Sequence, residues 1–390
     1  MKVYSEGRIP VKSWAPKLDA GAQEQSINLA NLPFAMSHIA LMPDAHSGFG
    51  MPIGGVLFAD KAVVPYGIGV DIGCGVTLAR TDVTVRKLDH RRLGRVLEKI
   101  EKSVPTGMRS HEQAVDRAQA EAEIGLELPD SIQKPWFDRA INQLGTLGSG
   151  NHFLEVQRDE EGRVYVMLHS GSRSLGKTIC DAFQKRALAL NERWYSQLPH
   201  KELAFLPVGT PEFEAYWSAM TYALRFAEVN RTRMLAAAEA AFWAFTGMTS
   251  WERVVDIHHN YAAWENHRGR NGIVHRKGAV RARAGETVLI PGSMGTASFI
   301  AEGLGNPESF ETCQHGAGRA MSRTAARQQK TSDEVYAEMK KLGVELLCSS
   351  PRDVAEEAAF AYKDIDAVMA ASVDLIRPIA RLTPLGVVKG

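Results

Sequence analysis

The chain has 390 residues and a mass of 42.8 kDa, with 45% hydrophobic and 23% charged residues. These proportions are ordinary for a globular protein and exclude a disordered chain, a collagen-like fibre and a disulfide-stapled mini-domain. With 46 basic and 45 acidic residues the formal net charge is +1, so the molecule as a whole has no basic field that would attract nucleic acid. Any polyanion must therefore be bound by local clusters of cations.

Cysteine usage and the apolar stretches bear on the compartment. The cysteines lie far apart and form no CxxC pair, at Cys74, Cys180, Cys313 and Cys348. This spacing indicates a reducing compartment, in which each thiol is a small buried side chain or a metal ligand. The N-terminal residues MKVYSEGRIPVKSW lack the apolar region of a signal peptide, and the apolar stretch Leu235 to Phe245 is too short to cross a bilayer. We expect a cytoplasmic protein with no membrane association.

The predicted elements begin with about eighty β-rich residues that glycine and proline punctuate. Helical periodicity follows from about Lys87 to Val104 and again over HEQAVDRAQAEAEIGLEL. A strand is predicted at VYVMLHS, and helices follow from about Gly176 to Trp194 and from about Glu212 to Phe245. Strands resume over RVVDIHHNY, GIVHRKGAVRARAG, ETVLIPGSM and TASFIAEGL, and the C-terminal part is mostly helical before a final strand at GVVKG.

Strands and helices in this order come in blocks and do not alternate regularly. Regular alternation is typical of a TIM barrel or a doubly wound sheet, so the pattern favours an α+β fold. Length alone gives a prior of about two or three domains. The chain nevertheless shows no internal repeat, low-complexity tract or linker composition. We therefore expect one large domain over residues 1–390, with a β-rich core and helical insertions.

Histidine carries the strongest chemical signal. Five histidines lie in loops of small residues beside predicted strands: His152 in GSGNHF, His169 in MLHSGSR, His258 and His259 in DIHHNY, and His315 in CQHGAG. A lone histidine is more often structural than a ligand, but five at strand ends favour a site. Asp71 and Cys74 lie three apart in VDIGC, where Cys74 alone is explained equally well as a buried thiol in a tight turn. Together Asp, Cys and His suit zinc or another first-row transition metal, without a zinc-finger spacing.

A competing signal is the segment Gly171 to Thr178, GSRSLGKT, which matches the P-loop pattern G-x-x-x-x-G-K-[ST]. It follows a predicted strand and opens a predicted helix, as a phosphate-binding loop does. Lys177 would contact the β- and γ-phosphates, and Thr178 would contact a magnesium ion. Because the chain has no convincing acidic partner strand and no α/β alternation, a P-loop NTPase is the weaker alternative.

Basic residues lie close to two of the histidine loops. Arg319 and Arg323 follow the glycine-rich sequence HGAG, and such a loop brings backbone N–H groups close to a phosphate. The other cluster, HRGRNGIVHRK with Arg281 and Arg283, is explained at least equally well as the solvated face of a hairpin. Only the first cluster therefore counts towards a phosphate site.

Taken in order, these segments resemble the RtcB family of RNA ligases. The resemblance runs nearly end to end, through PVKSW, MPDAH, GVDIGCGV, GTLGSGNHFLEV, MLHSGSR, HHNY, RKGAVRARAG, IPGSMGTASF, HGAGRAMSR, AYKDIDAVM and VVKG. No single motif is decisive, but so many in the same order are highly specific. Members of the family join an RNA 3′-phosphate or 2′,3′-cyclic phosphate to a 5′-hydroxyl, using GTP and Mn²⁺, on a single-domain α+β fold. The resemblance therefore implies such RNA ends and GTP as partners, and it leaves open whether an activating protein partner is required.

The resemblance also implies roles for individual residues. His315 matches the histidine that becomes covalently guanylylated, and Asp44 matches a carboxylate that orients it. The ligands of two manganese ions match Asp71, Cys74, His152, His169 and His259. Positions around the guanine nucleotide match His315 itself and Asn151, Asn260, Ser293, Ser298, Gly316, Gly318, Arg319, Tyr362 and Lys389. Arginines that contact RNA phosphates match Arg173 and Arg323.

The chemistry of these residues supports the implied roles. A neutral imidazole is a competent nucleophile on an α-phosphate when a carboxylate fixes its tautomer. Manganese would neutralise the charge of the triphosphate during such a displacement.

Overall fold

The computed structural model describes the backbone of residues 1–111, 113 and 115–390, and the side chains of the same residues except 351–353. The strands are β1 (Lys2–Tyr4), β2 (Val11–Ser13), β3 (Ala35–His46), β4 (Ile53–Ala59), β5 (Ala62–Val63), β6 (Gly75–Thr84), β7 (Phe153–Arg158), β8 (Arg163–Ser170), β9 (Leu206–Pro207), β10 (Trp251–His258), β11 (Asn260–His267), β12 (Arg270–Lys277), β13 (Ala279–Arg281), β14 (Thr287–Ile290), β15 (Ser298–Gly303), β16 (Thr312–Gln314), β17 (Glu345–Cys348) and β18 (Ile376–Lys389). The helices are α1 (Ala20–Ala30), α2 (His90–Ser103), α3 (Arg117–Ile124), α4 (Lys134–Ile141), α5 (Ser174–Arg193), α6 (Pro211–Thr246), α7 (Arg323–Gln329), α8 (Ser332–Leu342), α9 (Pro351–Glu356) and α10 (Ile365–Ala370).

Two sheets form most of the β structure. The first has the order β1-β2-β3-β4-β12-β11, in which β2 and β3 run parallel and the other neighbours run antiparallel. The second has the order β10-β6-β8-β7-β18-β15-β14, and β17 runs parallel beside the last residues of β18. The edge strands β10 and β14 of the second sheet lie against each other, so this sheet curls towards a closed barrel.

The helices are inserted between strands of these sheets. The segment α2 to α4 joins β6 to β7, α5 and α6 lie between β8 and β10, and α7 to α10 separate β16 from β18. The longest helix is α6, with 36 residues. Its N-cap Thr210 accepts a hydrogen bond from the Phe213 N–H, and it ends at Gly247, whose φ of +68° suits glycine. The α+β prediction, with a β-rich core and helical insertions, is confirmed.

Two parts of the secondary structure differ from the sequence prediction. The first eighty residues contain the predicted strands, but they also contain helix α1, whose small and polar residues give a weak helical period. Asp19 caps this helix by accepting the Ala22 N–H at 2.9 Å. The last strand, β18, begins ten residues before the predicted GVVKG. Pro378 and Pro384 hide this strand in the sequence, and its pairing shifts register next to both prolines.

The core has apolar clusters on both sides of the second sheet and around the first. One lies among α4, α5 and α6 and includes Phe183 and Phe226, and another lies between the first sheet and β14 to β16 and includes Phe58 and Phe310. The four cysteines are free thiols. Within the described part of the chain, none of the helices combines the length and apolarity that a membrane crossing requires.

Candidate active site

Several of the predicted site residues lie along one edge of the second sheet, where five neighbouring strands begin or end. On five neighbouring strands, the residues paired at this edge are His258, Gly75, His169 with Ser170, Phe153 and Lys389. The loops at these strand ends carry three further predicted residues, each next to a paired position: Cys74, His152 and His259. The register of the sheet therefore brings together residues that are far apart in the sequence.

The predicted metal ligands converge at this edge. Cys74 Sγ lies 3.4 Å from His152 Nε2 and 3.2 Å from His169 Nε2. All three side chains are buried, and their ligand atoms lie within 4.8 Å of one another. Such separations are compatible with one shared cation.

The other two predicted ligands extend this cluster. Asp71 Oδ2 lies 3.1 Å from His152 Nε2, and His259 Nε2 lies 3.3 Å from His169 Nε2. The His259 backbone N–H donates to the Cys74 carbonyl at 2.9 Å, which fixes the two loops to each other. Asp71 Oδ1 and His259 Nδ1 are buried without a hydrogen-bond partner among the described residues. The structure thus brings all five predicted metal ligands together.

The orientation of the imidazole rings fits a cation. His169 Nδ1 lies 3.1 Å from the Asn151 carbonyl, and His152 Nδ1 lies 2.9 Å from the Leu147 carbonyl. Because a carbonyl only accepts, each Nδ1 donates, and the Nε2 lone pair of each ring faces Cys74 Sγ. Lone pairs that face one another in a buried cluster repel unless a proton or a cation lies between them. The cluster therefore has the arrangement of a metal site.

The protonation states agree with this arrangement. Burial lowers the pKa of His169 and of His259 well below the usual range, so both imidazoles stay neutral. Burial alone would raise the pKa of Asp71, but its polar neighbours, Arg173 among them, lower the pKa overall, so the carboxylate stays ionised. Burial and the Asp71 carboxylate raise the pKa of the Cys74 thiol. A cation bound here would instead favour the thiolate, which is a ligand for first-row transition metals.

A buried arginine holds the metal-ligand loops by hydrogen bonds to their carbonyl groups. Arg231, in the middle of α6, is fully buried, and its Nη1 donates at 3.0 Å to the carbonyls of both Gly73 and Ser170. Gly73 precedes Cys74, and Ser170 follows His169. The Arg231 guanidinium also donates through Nε to Asp256 Oδ1 at 3.0 Å, which neutralises its charge. The sequence analysis missed Arg231, because nothing in an alanine-rich helix marks its role.

The neighbouring residue Asn230 secures a third loop in the same way. Its Oδ1 accepts the Gly145 N–H at 2.6 Å and the Thr146 N–H at 3.2 Å. Its Nδ2 donates to the Thr146 carbonyl at 3.2 Å and to the Gly171 carbonyl at 3.1 Å. Asn230 therefore joins the loop before His152 to the end of β8. One turn of α6 holds the three loops that carry most of the predicted ligands.

His315 lies directly beside the metal-ligand cluster, with its ring centroid 4.9 Å from that of His259. Its Nδ1 lies 2.6 Å from Asp44 Oδ2, and the fully buried Asp44 side chain also accepts the His315 backbone N–H at 3.2 Å. Gly318 passes so close to Asp44, at a φ of +71°, that any side chain there would collide with the Asp44 backbone. The structure brings together the two residues that the sequence analysis paired.

A cavity of about 170 Å³ opens next to His315. Besides His315, it is lined by eight of the predicted nucleotide residues, namely Asn151, Ser293, Ser298, Gly316, Gly318, Arg319, Tyr362 and Lys389. Lys389 Nζ donates to the Gly150 carbonyl at 2.8 Å, and Ser298 Oγ accepts the Gly292 N–H at 3.1 Å. These bonds give the cavity a fixed wall.

Two buried carboxylates in this cavity escaped the sequence analysis. Glu357 accepts hydrogen bonds from the Tyr362 hydroxyl and, at 3.2 Å, from Arg319 Nη1, and it lies 3.8 Å from Lys389 Nζ. Burial would raise the pKa of Glu357, but Lys389 and the other neighbours lower it overall. Glu155 lies on β7, where burial raises its pKa to about 8. A glutamate in the otherwise apolar HFLEV was a usable signal for Glu155, whereas nothing in the sequence marks Glu357.

A second cavity, of about 710 Å³, adjoins the first. Its lining includes Asp71, Cys74 and His259, and both cavities are lined by His315 and Arg323. His315 therefore lies where the two cavities meet. Asn260, predicted beside the nucleotide, lines this larger cavity. Its amide donates to the Asp71 carbonyl at 3.0 Å and accepts the Gly278 N–H at 2.8 Å.

Two further cations lie close to the metal-ligand cluster. Arg173, predicted to contact RNA phosphates, is packed behind His152, with its Nη1 at 3.2 Å from His152 Nδ1 and its Nε at 3.3 Å from Thr146 Oγ1. Lys277, which the sequence analysis missed, lines the larger cavity, and burial lowers its pKa to about 8. Lys277 therefore carries a positive charge below about pH 8.

The structure contradicts the P-loop alternative. Helix α5 already begins at Ser174, so five of the eight residues of GSRSLGKT are helical and no loop remains to surround a phosphate. The Ser174 N–H donates to Gln143 Oε1 at 3.1 Å. Lys177 is 65% exposed and pairs with Asp181 at 2.5 Å, one helical turn further on. The P-loop prediction is wrong because the match is a chance one on a helix surface.

A buried cluster of Asp, Cys and His ligands beside a carboxylate-bound histidine is compatible with a metal-dependent enzyme. Residues 25–390 match the family model described as tRNA-splicing ligase RtcB, and the chain belongs to the RtcB family. The RNA-splicing ligase RtcB of Escherichia coli K12 is 40% identical over 403 residues, covering 98% of this chain and 97% of the relative. The tRNA-splicing ligase RtcB of Thermococcus kodakarensis is 35% identical, covering 94% of this chain and 90% of the relative. The resemblance seen in the sequence is confirmed.

Proposed function

We propose that this protein is an RNA ligase that joins an RNA 3′-phosphate or 2′,3′-cyclic phosphate end to a 5′-hydroxyl end, with GTP as co-substrate. Membership of the RtcB family supports the ligase activity, since the relatives carry the names of RNA-splicing and tRNA-splicing ligases. The observation that carries the proposal is the position of His315. Its ring is held by Asp44 beside the metal-ligand cluster, where the two cavities meet.

His315 is the proposed nucleophile. Its bond through Nδ1 to Asp44 leaves the Nε2 lone pair to attack the α-phosphorus of GTP. A P–N bond forms, the P–O bond to the leaving group breaks, and pyrophosphate departs with the bonding electrons. The buried Asp44 carboxylate stabilises the positive charge that develops on the imidazole. The product is a phosphoramidate, a reactive donor of GMP.

The remaining steps use the RNA ends. An oxygen of the RNA 3′-phosphate attacks the phosphorus of GMP, the P–N bond breaks, and His315 regains its lone pair. The RNA now ends in a 3′-pp-G group. The 5′-hydroxyl attacks the RNA phosphorus and loses its proton, a phosphodiester forms, and GMP leaves. A cyclic phosphate must first be hydrolysed to the 3′-phosphate.

The smaller cavity is the proposed guanine nucleotide site. Glu357 places an ionised carboxylate there, and the Watson–Crick edge of guanine presents the donors N1–H and N2–H₂ to such an acceptor. Adenine presents an acceptor at N1, so a carboxylate disfavours it. Tyr362 and Lys389, both tied to Glu357, complete the pocket.

Asp71, Cys74, His152, His169 and His259 are the residues proposed to hold two manganese ions. When bound, these ions supply neutralisation of phosphate charge. Arg323 and Arg319, at the junction of the cavities, add positive charge that the chain itself provides.

Incubation with α-³²P-labelled GTP and Mn²⁺ tests the proposal. The wild-type protein should acquire acid-labile, alkali-stable label and should join a 3′-phosphate RNA to a 5′-hydroxyl RNA. His315→Ala should acquire no label but should still seal an RNA that already carries a 3′-pp-G end. Lys177→Ala, the matched control for the rejected P-loop, should keep both activities. Label that persists in His315→Ala would overturn the proposal.

A further inference from the structure

One large side chain at the larger cavity is exposed without any role in the chemistry proposed above. Phe49 lies between β3 and β4, is 64% exposed, and lines the cavity that also contains Asp71, Cys74 and His315. Exposed aromatic rings are costly to leave in water and are over-represented where they bind a partner. A ring that lines a concave site beside a reactive centre is available to pack against a bound ligand.

The backbone that carries this ring is firmly held. Lys277 Nζ donates to the Phe49 carbonyl at 2.5 Å, and the Met51 N–H donates to the same carbonyl at 2.8 Å. The Gly50 N–H donates to Glu202 Oε2 at 2.5 Å, and the Gly48 N–H donates to Gln25 Oε1 at 3.0 Å. The exposed ring is therefore presented by an anchored segment, which fixes its place in the cavity before a ligand binds.

We propose that the Phe49 ring is the stacking platform for the nucleobase of a terminal nucleotide of the RNA substrate. This inference rests on the proposed function and adds a base-binding subsite to it. The guanine of GTP is assigned to the smaller cavity, which Phe49 does not line, so the base on Phe49 belongs to RNA. Stacking on an aromatic ring accepts every base, because every base has a π face, and so suits an enzyme that reads an RNA end and not a sequence.

The shared cavity explains how the subsite cooperates with the reaction. The 3′-phosphate that attacks the guanylylated histidine must lie beside His315, and the 5′-hydroxyl must lie beside that phosphate. The base of each end nucleotide extends away from its reacting group through the ribose. A ring on the same cavity wall holds that base and so limits the rotation of the reacting end. The terminal base presents the same flat π face whether its nucleotide carries the 3′-phosphate or the 5′-hydroxyl. The experiment therefore measures binding of the two RNA ends separately.

The test is a double-mutant cycle of four dissociation constants for RNA, measured with the full-length protein and Mn²⁺ in the absence of GTP. Fluorescence anisotropy compares wild type and Phe49→Ala, each with a ten-nucleotide RNA whose terminal nucleotide carries a base or is abasic. One arm uses RNA with a 3′-phosphate and the other uses RNA with a 5′-hydroxyl. In the arm whose terminal nucleotide stacks on Phe49, removal of the base should weaken RNA binding by wild type roughly 5- to 100-fold. The same removal should have little effect on RNA binding by Phe49→Ala.

Conservative variants separate stacking from loop damage. Phe49→Trp should restore the preference for a base, and Phe49→Leu should not, because leucine is apolar but has no π face. Tyr195→Ala, which removes a ring that is 93% exposed in the turn after α5, is the matched control and should bind as wild type does. Equal effects of base removal on wild type and on Phe49→Ala in both arms would overturn the inference. So would weaker binding of GTP, with RNA binding unchanged, in Phe49→Ala.

A different result would refute the proposed function. A wild-type protein that acquires no GMP on His315 would refute the ligase chemistry, and the cycle above, measured without GTP, would still report on stacking.

Discussion

A single oxygen of Asp44 holds His315 twice, because Oδ2 lies 2.6 Å from the ring Nδ1 and 3.2 Å from the backbone nitrogen of the same residue. The ring and the main chain of His315 are thus oriented by one buried atom. Asp44 Oδ1 has no hydrogen-bond partner among the described residues. The carboxylate consequently directs its charge towards the imidazole.

This relationship predicts the effect of Asp44→Asn. The amide keeps the shape of the side chain but loses the negative charge that stabilises an imidazolium, so we expect the rate of His315 guanylylation to fall about 10²- to 10⁴-fold. The rate of label incorporation from α-³²P-labelled GTP measures this effect. Sealing of an RNA that already ends in 3′-pp-G should fall far less, since that step does not use His315. A guanylylation rate within threefold of wild type would show that Asp44 is not required for orientation.

Cys74→Ser should remove metal while leaving the fold intact. Serine keeps a small polar group but lacks the soft thiolate, so the affinity for Mn²⁺ or Zn²⁺ should fall at least roughly 10- to 100-fold. Metal analysis after equilibrium dialysis measures the change. Cys180→Ala is the matched control, because Cys180 is also buried but lies on α5, in the apolar core. If both variants retain the same metal content, Cys74 is a structural thiol.

Arg231→Met should destabilise the protein strongly. The variant removes the fully buried partner of Asp256, which keeps only the more exposed Arg253, and releases the carbonyls of Gly73 and Ser170. We therefore expect a loss of about 3–5 kcal/mol in the free energy of unfolding. Denaturant titration measures this loss. Arg233→Met removes a half-exposed ion pair from the same helix and should cost about 1 kcal/mol or less. Equal losses in the two variants would contradict the supporting role given to Arg231.

The buried His275 should make the free energy of unfolding fall in acid. Burial lowers its pKa to about 4, and its Nε2 accepts the Val64 N–H at 3.0 Å. Above about pH 6.5 the imidazole is neutral in both states and the stability is complete. As the pH falls from 6.5 towards 4, His275 becomes protonated in the unfolded chain but not in the folded protein. The free energy of unfolding therefore decreases by up to about 1.4 kcal/mol per pH unit.

The variant His275→Gln tests this dependence. Glutamine retains an acceptor for the Val64 N–H but does not titrate. Between pH 6.5 and 4 the unfolding free energy of the variant should therefore depend less steeply on pH than that of wild type, by up to about 1.4 kcal/mol per pH unit. Urea titrations at several pH values measure the slope. An unchanged slope in His275→Gln would refute the prediction.

The sequence predicted the site better than it predicted the strands that position it. Cys74, His152, His169 and His259 were visible because small residues surround them, and each lies at a strand end where the register of the sheet brings it to the same edge. Roles for individual residues came from the family resemblance and not from spacing. The roles stay predictions, although the geometry brings the proposed ligands together.

Other features were hidden for physical reasons. Glu357 and Arg231 act through long-range contacts, which no local pattern records. Helix α1 is specified mainly by its cap and its packing, and β18 is interrupted by prolines at points where its pairing shifts. A single domain over residues 1–390 also stays a prediction. We propose it because the Asp44–His315 bond joins β3 of the first sheet to the loop after β16, and the His315 ring lies against His259, just after β10 of the second sheet.

The proposed metal ligands belong to four separate segments, around Cys74, His152, His169 and His259, which meet only in the folded sheet. An unfolded chain cannot offer these ligands together, so a cation that binds them shifts the folding equilibrium by mass action. At a free concentration one hundred times its dissociation constant, such a cation adds about 2.7 kcal/mol to stability. Because proteases act on the unfolded fraction, we expect the lifetime of this protein in a cell to follow the supply of a cation that binds the proposed ligands.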